Sequence, residues 1–148
     1  MTEYDIQERF FTEFQKLNDF SGMELITEEN VAYPNKDFEK PEDNRYFILS
    51  MATEEPSPVS EGNEPQLEVN GFFQIDIITP IGSGEDEQKT KYEWLANLFS
   101  IGKDMDIDGP DEKKGFIDIR SCSRTPLGAG EGQYRTVMRI TFTAFIEL

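Results

Sequence analysis

Histidine is absent from this 148-residue chain, and cysteine occurs once. The first absence removes the commonest general base and the commonest metal-ligating side chain together. The second leaves no internal disulfide and suits a reducing compartment. Long apolar runs are missing too, since none approaches the roughly eighteen residues of a membrane span. The start, Met1-Thr2-Glu3-Tyr4-Asp5, has neither the basic nor the apolar part of a secretory signal. Basic residues are scarce, 14 against 30 acids, for a net charge of −16. Such a chain is expected to avoid bare nucleic acid and anionic membranes unless a local patch reverses the sign.

Apolar material is nonetheless sufficient for a core, with 36% hydrophobic residues and twelve phenylalanines. The length predicts a single domain over residues 1–148, burying roughly two-thirds of its unfolded surface. Thr2 to about Phe20 reads as an amphipathic helix: Ile6, Phe10, Phe14 and Leu17 recur at helical spacing, Phe11 widens the stripe and Ser21-Gly22 stops it. Thr2 with Asp5, and Ser83 with Asp86, resemble capping boxes. The second helix is expected over Ser83–Ile101, burying Tyr92, Leu95, Ala96 and Phe99 with Trp94 and Leu98 at the flanks.

Strand patterns fall at Asn30–Tyr33, Tyr46–Ala52, Gln66–Thr79, Gly115–Ser123 and Tyr134–Leu148. Asn70-Gly71 fits a tight turn or a bulge inside one long strand, and the bulge is the expectation. The last strand alternates most regularly, with Met138, Ile140, Phe142, Ala144, Ile146 and Leu148 inward. Glu54–Pro65, with three prolines and four acids, and the polar Lys103–Lys114 read as exposed loops. The order α-β-β-β-α-β-β predicts an α+β fold, a mostly antiparallel sheet of about five strands with two helices packed on it.

No residue set supports catalysis. Asp104-Met105-Asp106-Ile107-Asp108-Gly109 matches the first half of an EF-hand loop, but its twelfth position is Gly115 and Asp111 sits where an apolar residue belongs. A solvated acidic turn is the expectation, and no metal or cofactor is predicted. Gly82-Ser83-Gly84 lacks the Gly-Lys-Ser/Thr ending of a phosphate cradle and precedes three acids, so helix capping is expected. Cys122, with no histidine to activate it, reads as structural.

The basic residues are less evenly spread. Arg120, Arg124, Arg135 and Arg139 lie on the two final strands, on faces that alternation assigns away from the apolar stripe, with Phe72, Val137 and Phe145 also outward. Two readings stand side by side: ordinary solvated sheet, or a subunit contact in which the arginine forks meet a neighbour's carboxylates.

Several motifs occur in a fixed order. They are the first helix, then Val31-Ala32-Tyr33-Pro34-Asn35 with Phe38 and Pro41, then the Tyr46–Ala52 strand. Next come Gly71-Phe72-Phe73-Gln74-Ile75-Asp76-Ile77 with Pro80 and Gly84, a helix ending Leu98-Phe99, and Arg124-Thr125-Pro126 ahead of Ile140-Thr141-Phe142. In this order the chain resembles the phage tail terminator family of long-tailed phages, with the Glu54–Pro65 and Lys103–Lys114 segments outside the pattern. The resemblance implies a structural virion protein, assembled in the host cytoplasm and placed at the head-proximal end of the tail. It implies a homo-hexameric ring that caps the tail tube, ends its polymerisation and offers the head-joining surface. The implied partners are other copies of the chain, the tail tube protein, the head-completion or connector protein, and a sheath if the tail is contractile. DNA would pass through without specific binding, and no membrane is involved. The alternatives are another neck or tail structural protein (a tail-completion or tube subunit) and an acidic calcium-binding or adaptor module.

Overall fold

The structure is a computed structural model that describes residues 2–22, 24–34, 36–61, 64–83, 85–108, 113–130 and 132–147. Asn35, Gly84, Gly109, Asp111 and Leu148, which figure in the sequence reading, lie outside the described residues.

The N-terminal apolar stripe makes α1 (Thr2–Gln15), interrupted at Lys16 and continued as the short α2 (Leu17–Ser21). Ile6, Phe10, Phe14 and Leu17 are all fully buried. Gly22 ends the run in the left-handed region (φ 74°), where its N–H donates to the Asn18 carbonyl. Asn18 also fixes the turn that follows, since its Oδ1 accepts from the N–H groups of Leu25 and Ile26 at 2.7 Å.

The strands are β1 (Val31–Ala32), β2 (Tyr46–Thr53), β3 (Ser57–Glu61), β4 (Glu64–Pro80), β5 (Asp104–Asp108), β6 (Lys113–Gly130) and β7 (Gln133–Glu147), with α3 (Glu85–Leu98) between β4 and β5. They form one seven-stranded sheet in the order β1-β2-β4-β7-β6-β5, with β3 also paired to β4. The sheet is larger than the expected five strands and it is mixed, because β1 runs parallel to β2. The other pairings are antiparallel.

The two additional strands come from segments expected to be loops. Ser57–Glu61 pairs with Glu64–Glu68 as the outer end of a long hairpin. Pro58 is tolerated because a strand at the sheet edge can spare an N–H. In β5 the acids hide a period-two pattern: Met105 and Ile107 are buried while Asp104 and Asp106 are exposed. Gly71 sits in neither a turn nor a bulge. The β4–β7 register is unbroken from Gln66↔Glu147 to Pro80↔Gln133, and Ala52↔Phe72 is followed by Thr53↔Gly71 on the other side. A Cβ at Gly71 would run into the Ala52 carbonyl oxygen and lie 3.1 Å from the Phe142 ring, so this glycine answers to packing.

The helices cover one face of the sheet. Phe10 stacks on Phe73 with ring centres 4.8 Å apart and touches Phe142 (4.9 Å) and Phe99 (6.0 Å), while Phe14 meets Phe47 edge-on at 5.4 Å. From α3, the buried Gln88 Nε2 donates to the Ile77 carbonyl, the Thr79 hydroxyl and the Tyr134 carbonyl. That helix is shorter than expected and buries Leu95 and Leu98, with Phe99 just beyond its end, whereas Tyr92, Trp94 and Ala96 are only half-buried. The Ser83 hydroxyl turns back to donate to the Pro80 carbonyl at 2.9 Å. Before β2, Tyr33 packs edge-on against Phe11 (5.1 Å) and Phe38 covers Tyr46 (5.3 Å).

Candidate assembly interface

Alternation along β4 and β7 delivers a second set of side chains to the sheet face opposite the helices. At its centre Arg139 reaches across to β4. Its Nη2 donates to Gln74 Oε1 at 3.0 Å, and its guanidinium carbon stands 4.1 Å from the centre of the Phe72 ring. Gln74 Nε2 donates to Asp76 Oδ1 at 3.0 Å, and Asp76 Oδ2 lies 3.8 Å from Arg135 Nη1. Phe72, Arg139, Gln74, Asp76 and Arg135 thus form a continuous polar and aromatic line over two strands.

Towards the other end, Arg120 Nε donates to Thr143 Oγ1 (3.3 Å) and Arg120 Nη1 is 3.2 Å from Asp118 Oδ2. Thr143 passes its own hydrogen to Asn70 Oδ1 at 2.7 Å. Ser121 and Thr141 share a short hydroxyl contact. Phe145 packs at a tilt against Phe116 with ring centres 5.2 Å apart. Four of the six singled-out residues, namely Phe72, Arg135, Arg139 and Phe145, therefore share this face by simple alternation, and Arg120 joins them from the bulge described next.

Arg124 does not share it. The β6–β7 register shifts between Ile119 and Ser121, so Arg120 is an extra residue, and from Ser121 to Pro126, where a second shift follows, β6 turns its even-numbered residues towards the helices. Arg124 lies opposite Met138, and its guanidinium carbon sits 5.8 Å from the Tyr92 ring centre on α3. Cys122, opposite Ile140, is half-buried with its Sγ 3.9 Å from the Tyr92 hydroxyl. Burial raises the pKa of Cys122, and the Tyr92 contact opposes this only in part, so the thiol stays protonated.

The supporting residues Gln74, Asp76, Asn70, Thr143 and Phe116 are not among the six interface candidates, although the alternation of β4 and β7 already turns Gln74, Asp76 and Thr143 outward. Alternation from Phe72 and Phe145 reaches all but Phe116, which alternation back from Arg120 through Asp118 reaches on β6 ahead of the bulge. The Asp104–Asp108 run is strand β5 rather than an acidic turn or calcium loop, and an extended strand holds Asp104 and Asp106 roughly 7 Å apart along one exposed face instead of wrapping them around an ion.

A second charged centre lies on the helix side. Glu13, almost fully buried, meets Lys16 Nζ at 2.9 Å, Lys103 Nζ at 3.2 Å and Arg9 Nη1 at 3.6 Å. Arg9 Nε donates to the Asp106 carbonyl and Lys103 Nζ to the Leu98 carbonyl, both at 2.8 Å. Burial alone would raise the pKa of Glu13, but the hydrogen bonds from Lys16 and Lys103 with the nearby charges outweigh it, and the net shift is downward. This cluster ties α1 to β5 and to the end of α3. It is structural, whereas the opposite sheet face offers what recognition uses: a planar cation fork, aromatic plates and hydroxyls on a rigid support.

The arrangement defines a class, a two-layer α+β protein with helices on one sheet face and a polar, arginine-bearing face opposite. A solved structure 20% identical to this chain has the same fold, with a TM-score of 0.62 over 93% of this chain and 94% of that one. No curated protein sequence matches. The family described as phage tail terminator protein matches residues 16–142. The chain belongs to the phage tail terminator family, as its ordered motifs implied. Membership gives it a structural role in the phage tail, in association with other tail proteins, within a family that is not one of enzymes.

Proposed function

We propose that this protein closes into a ring, of six copies by family resemblance, on the head-proximal end of a finished tail tube. There it ends tube polymerisation and presents the surface that a head-completion or connector protein meets. The sheet face bearing Phe72, Arg120, Arg135, Arg139 and Phe145 is the subunit contact in this reading. The observation that carries it is Arg139, exposed on β7, its guanidinium carbon 4.1 Å from the centre of the Phe72 ring and its Nη2 hydrogen-bonded to a neutral carboxamide. A guanidinium so placed keeps donors directed outward for a carboxylate from another molecule. The net charge of −16 fits a channel through which DNA slides without being held.

The nearest rival is a tube subunit, which would polymerise by itself. Electron microscopy of the purified protein, alone and added to growing tail tubes, separates the two. The proposal expects single rings alone and tubes whose growth stops at a capped end. Long tubes formed by the protein alone would sink it.

A further inference from the structure

The subunit-contact reading leaves open what the arginine face meets on the next copy. On this face Arg120 lies beside Asp118 and Arg135 beside Asp76, whereas Arg139 has only the Gln74 carboxamide and the Phe72 ring. Arg139 is therefore the cation of the face whose charge nothing described nearby offsets. It is flanked by the half-buried Phe72 and Val137. The complementary surface should hold carboxylates without cations of their own around an aromatic floor.

Elsewhere on the chain one groove offers carboxylates that no cation pairs among the described residues, although Lys36 and Lys40 also line it and the Lys36 Nζ stands 5.5 Å from the centre of the Tyr33 ring. It runs between α1 and the 24–42 segment, floored by Phe11 and Tyr33 in edge-on contact and rimmed by Glu8, Glu24, Glu28 and Glu29. All four glutamates are exposed, and none forms an ion pair among the described residues. The turn that carries Glu28 and Glu29 is fixed by its own hydrogen bonds. Asn30 Oδ1 accepts from the Thr27 N–H at 2.7 Å, and Asn30 Nδ2 donates to the Leu25 carbonyl at 2.8 Å. Its carboxylates are thus presented from an ordered backbone.

We propose that the Arg139 face of one copy docks into the acidic groove between α1 and residues 24–42 of the next, Arg139 pairing with Glu28 or Glu29. The groove borders β1 at one edge of the sheet, and the arginine face covers β4, β7 and β6 on the side away from the helices. The two surfaces do not overlap, so one copy can use both at once. Such a contact is head-to-tail and propagates, closing into a ring when the rotation per step allows. Opposite charges at the contact also set its register and speed its formation within a protein that otherwise repels itself. This inference rests on the subunit-contact reading, and its test separates the two.

The experiment compares the self-association of four full-length chains, alone and on tail tubes, by native mass spectrometry and sedimentation velocity. They are the wild type, Arg139→Glu, Glu28→Lys with Glu29→Lys, and all three changes combined. Circular dichroism confirms folding, which is expected since the three side chains are exposed. Either partial variant should weaken association at least roughly 30-fold, and the combined chain should regain most of it. If Arg139→Glu weakens association while the groove variant behaves as wild type, the arginine face is still a contact but its pairing with the groove is overturned. If Arg139→Glu changes nothing, or if the wild type stays monomeric alone and on tubes, both readings fall. Loss of tube binding without loss of self-association would assign the face to the tube protein and likewise overturn the pairing.

Discussion

Glu13 shows how much one side chain can depend on neighbours far away in sequence. Nothing in Phe11-Thr12-Glu13-Phe14 distinguishes it from the other acids, because its partner Lys103 arrives only when β5 docks against α1. Its folded pKa lies below the ordinary 4.5, so the carboxylate's contribution is fully present above that value and is lost as pH falls through the folded pKa. Glu13→Gln keeps the shape and removes the charge, leaving Lys16, Lys103 and Arg9 facing a neutral group. The expected cost is about 2 kcal/mol near neutral pH, the worth of hydrogen bonds to a charged acceptor. In denaturant titrations from pH 7 down to about pH 3, the gap between wild type and Glu13→Gln should narrow as the wild-type carboxylate protonates. A gap that stays constant over that range would show that the charge is not what matters.

At the scale of elements, what could be read from the sequence was whatever repeats with one period and does not change phase. The α1 stripe and the β7 alternation are of that kind: Ile6, Phe10, Phe14 and Leu17 are buried despite the break at Lys16, as are Met138, Ile140, Phe142, Ala144 and Ile146. β5 and β3 escaped because acids and prolines make short edge strands look like loops, although Met105 and Ile107 already alternate. Arg124 was misplaced for another reason. A single inserted residue at Arg120 reverses the faces of β6 as far as Pro126, and no local pattern in Ile119-Arg120-Ser121 announces it. The candidate face was legible on β4 and β7, where the register is unbroken, and illegible on β6 beyond the bulge. Gly71 tests the packing account of β4. Gly71→Ala adds a Cβ against the Ala52 carbonyl and the Phe142 ring, so the central strand pair has to move apart. The expected loss is roughly 1–3 kcal/mol, read as a lower urea midpoint with an unchanged slope. A midpoint equal to wild type would mean that β2 and β4 do not approach this closely.

For the whole molecule the governing quantity is charge. Six copies would bring together roughly −96, a repulsion that any ring has to overcome. Screening separates this long-range term from a local contact. The Debye length is about 30 Å at 0.01 M salt, so whole subunits repel one another. Near 0.15 M it is about 8 Å, which damps that repulsion and spares a pair in direct contact. At about 1 M it is about 3 Å, and the pair weakens too. Self-association measured by sedimentation velocity against sodium chloride should therefore rise, pass through a maximum and fall. Arg139→Glu should lose the falling limb, since its remaining electrostatics are repulsive and only gain from salt. A wild-type curve that falls from the lowest salt onward would mean that attraction between copies outweighs their shared charge at every range. A curve that only rises would mean that the contact owes nothing to opposite charges.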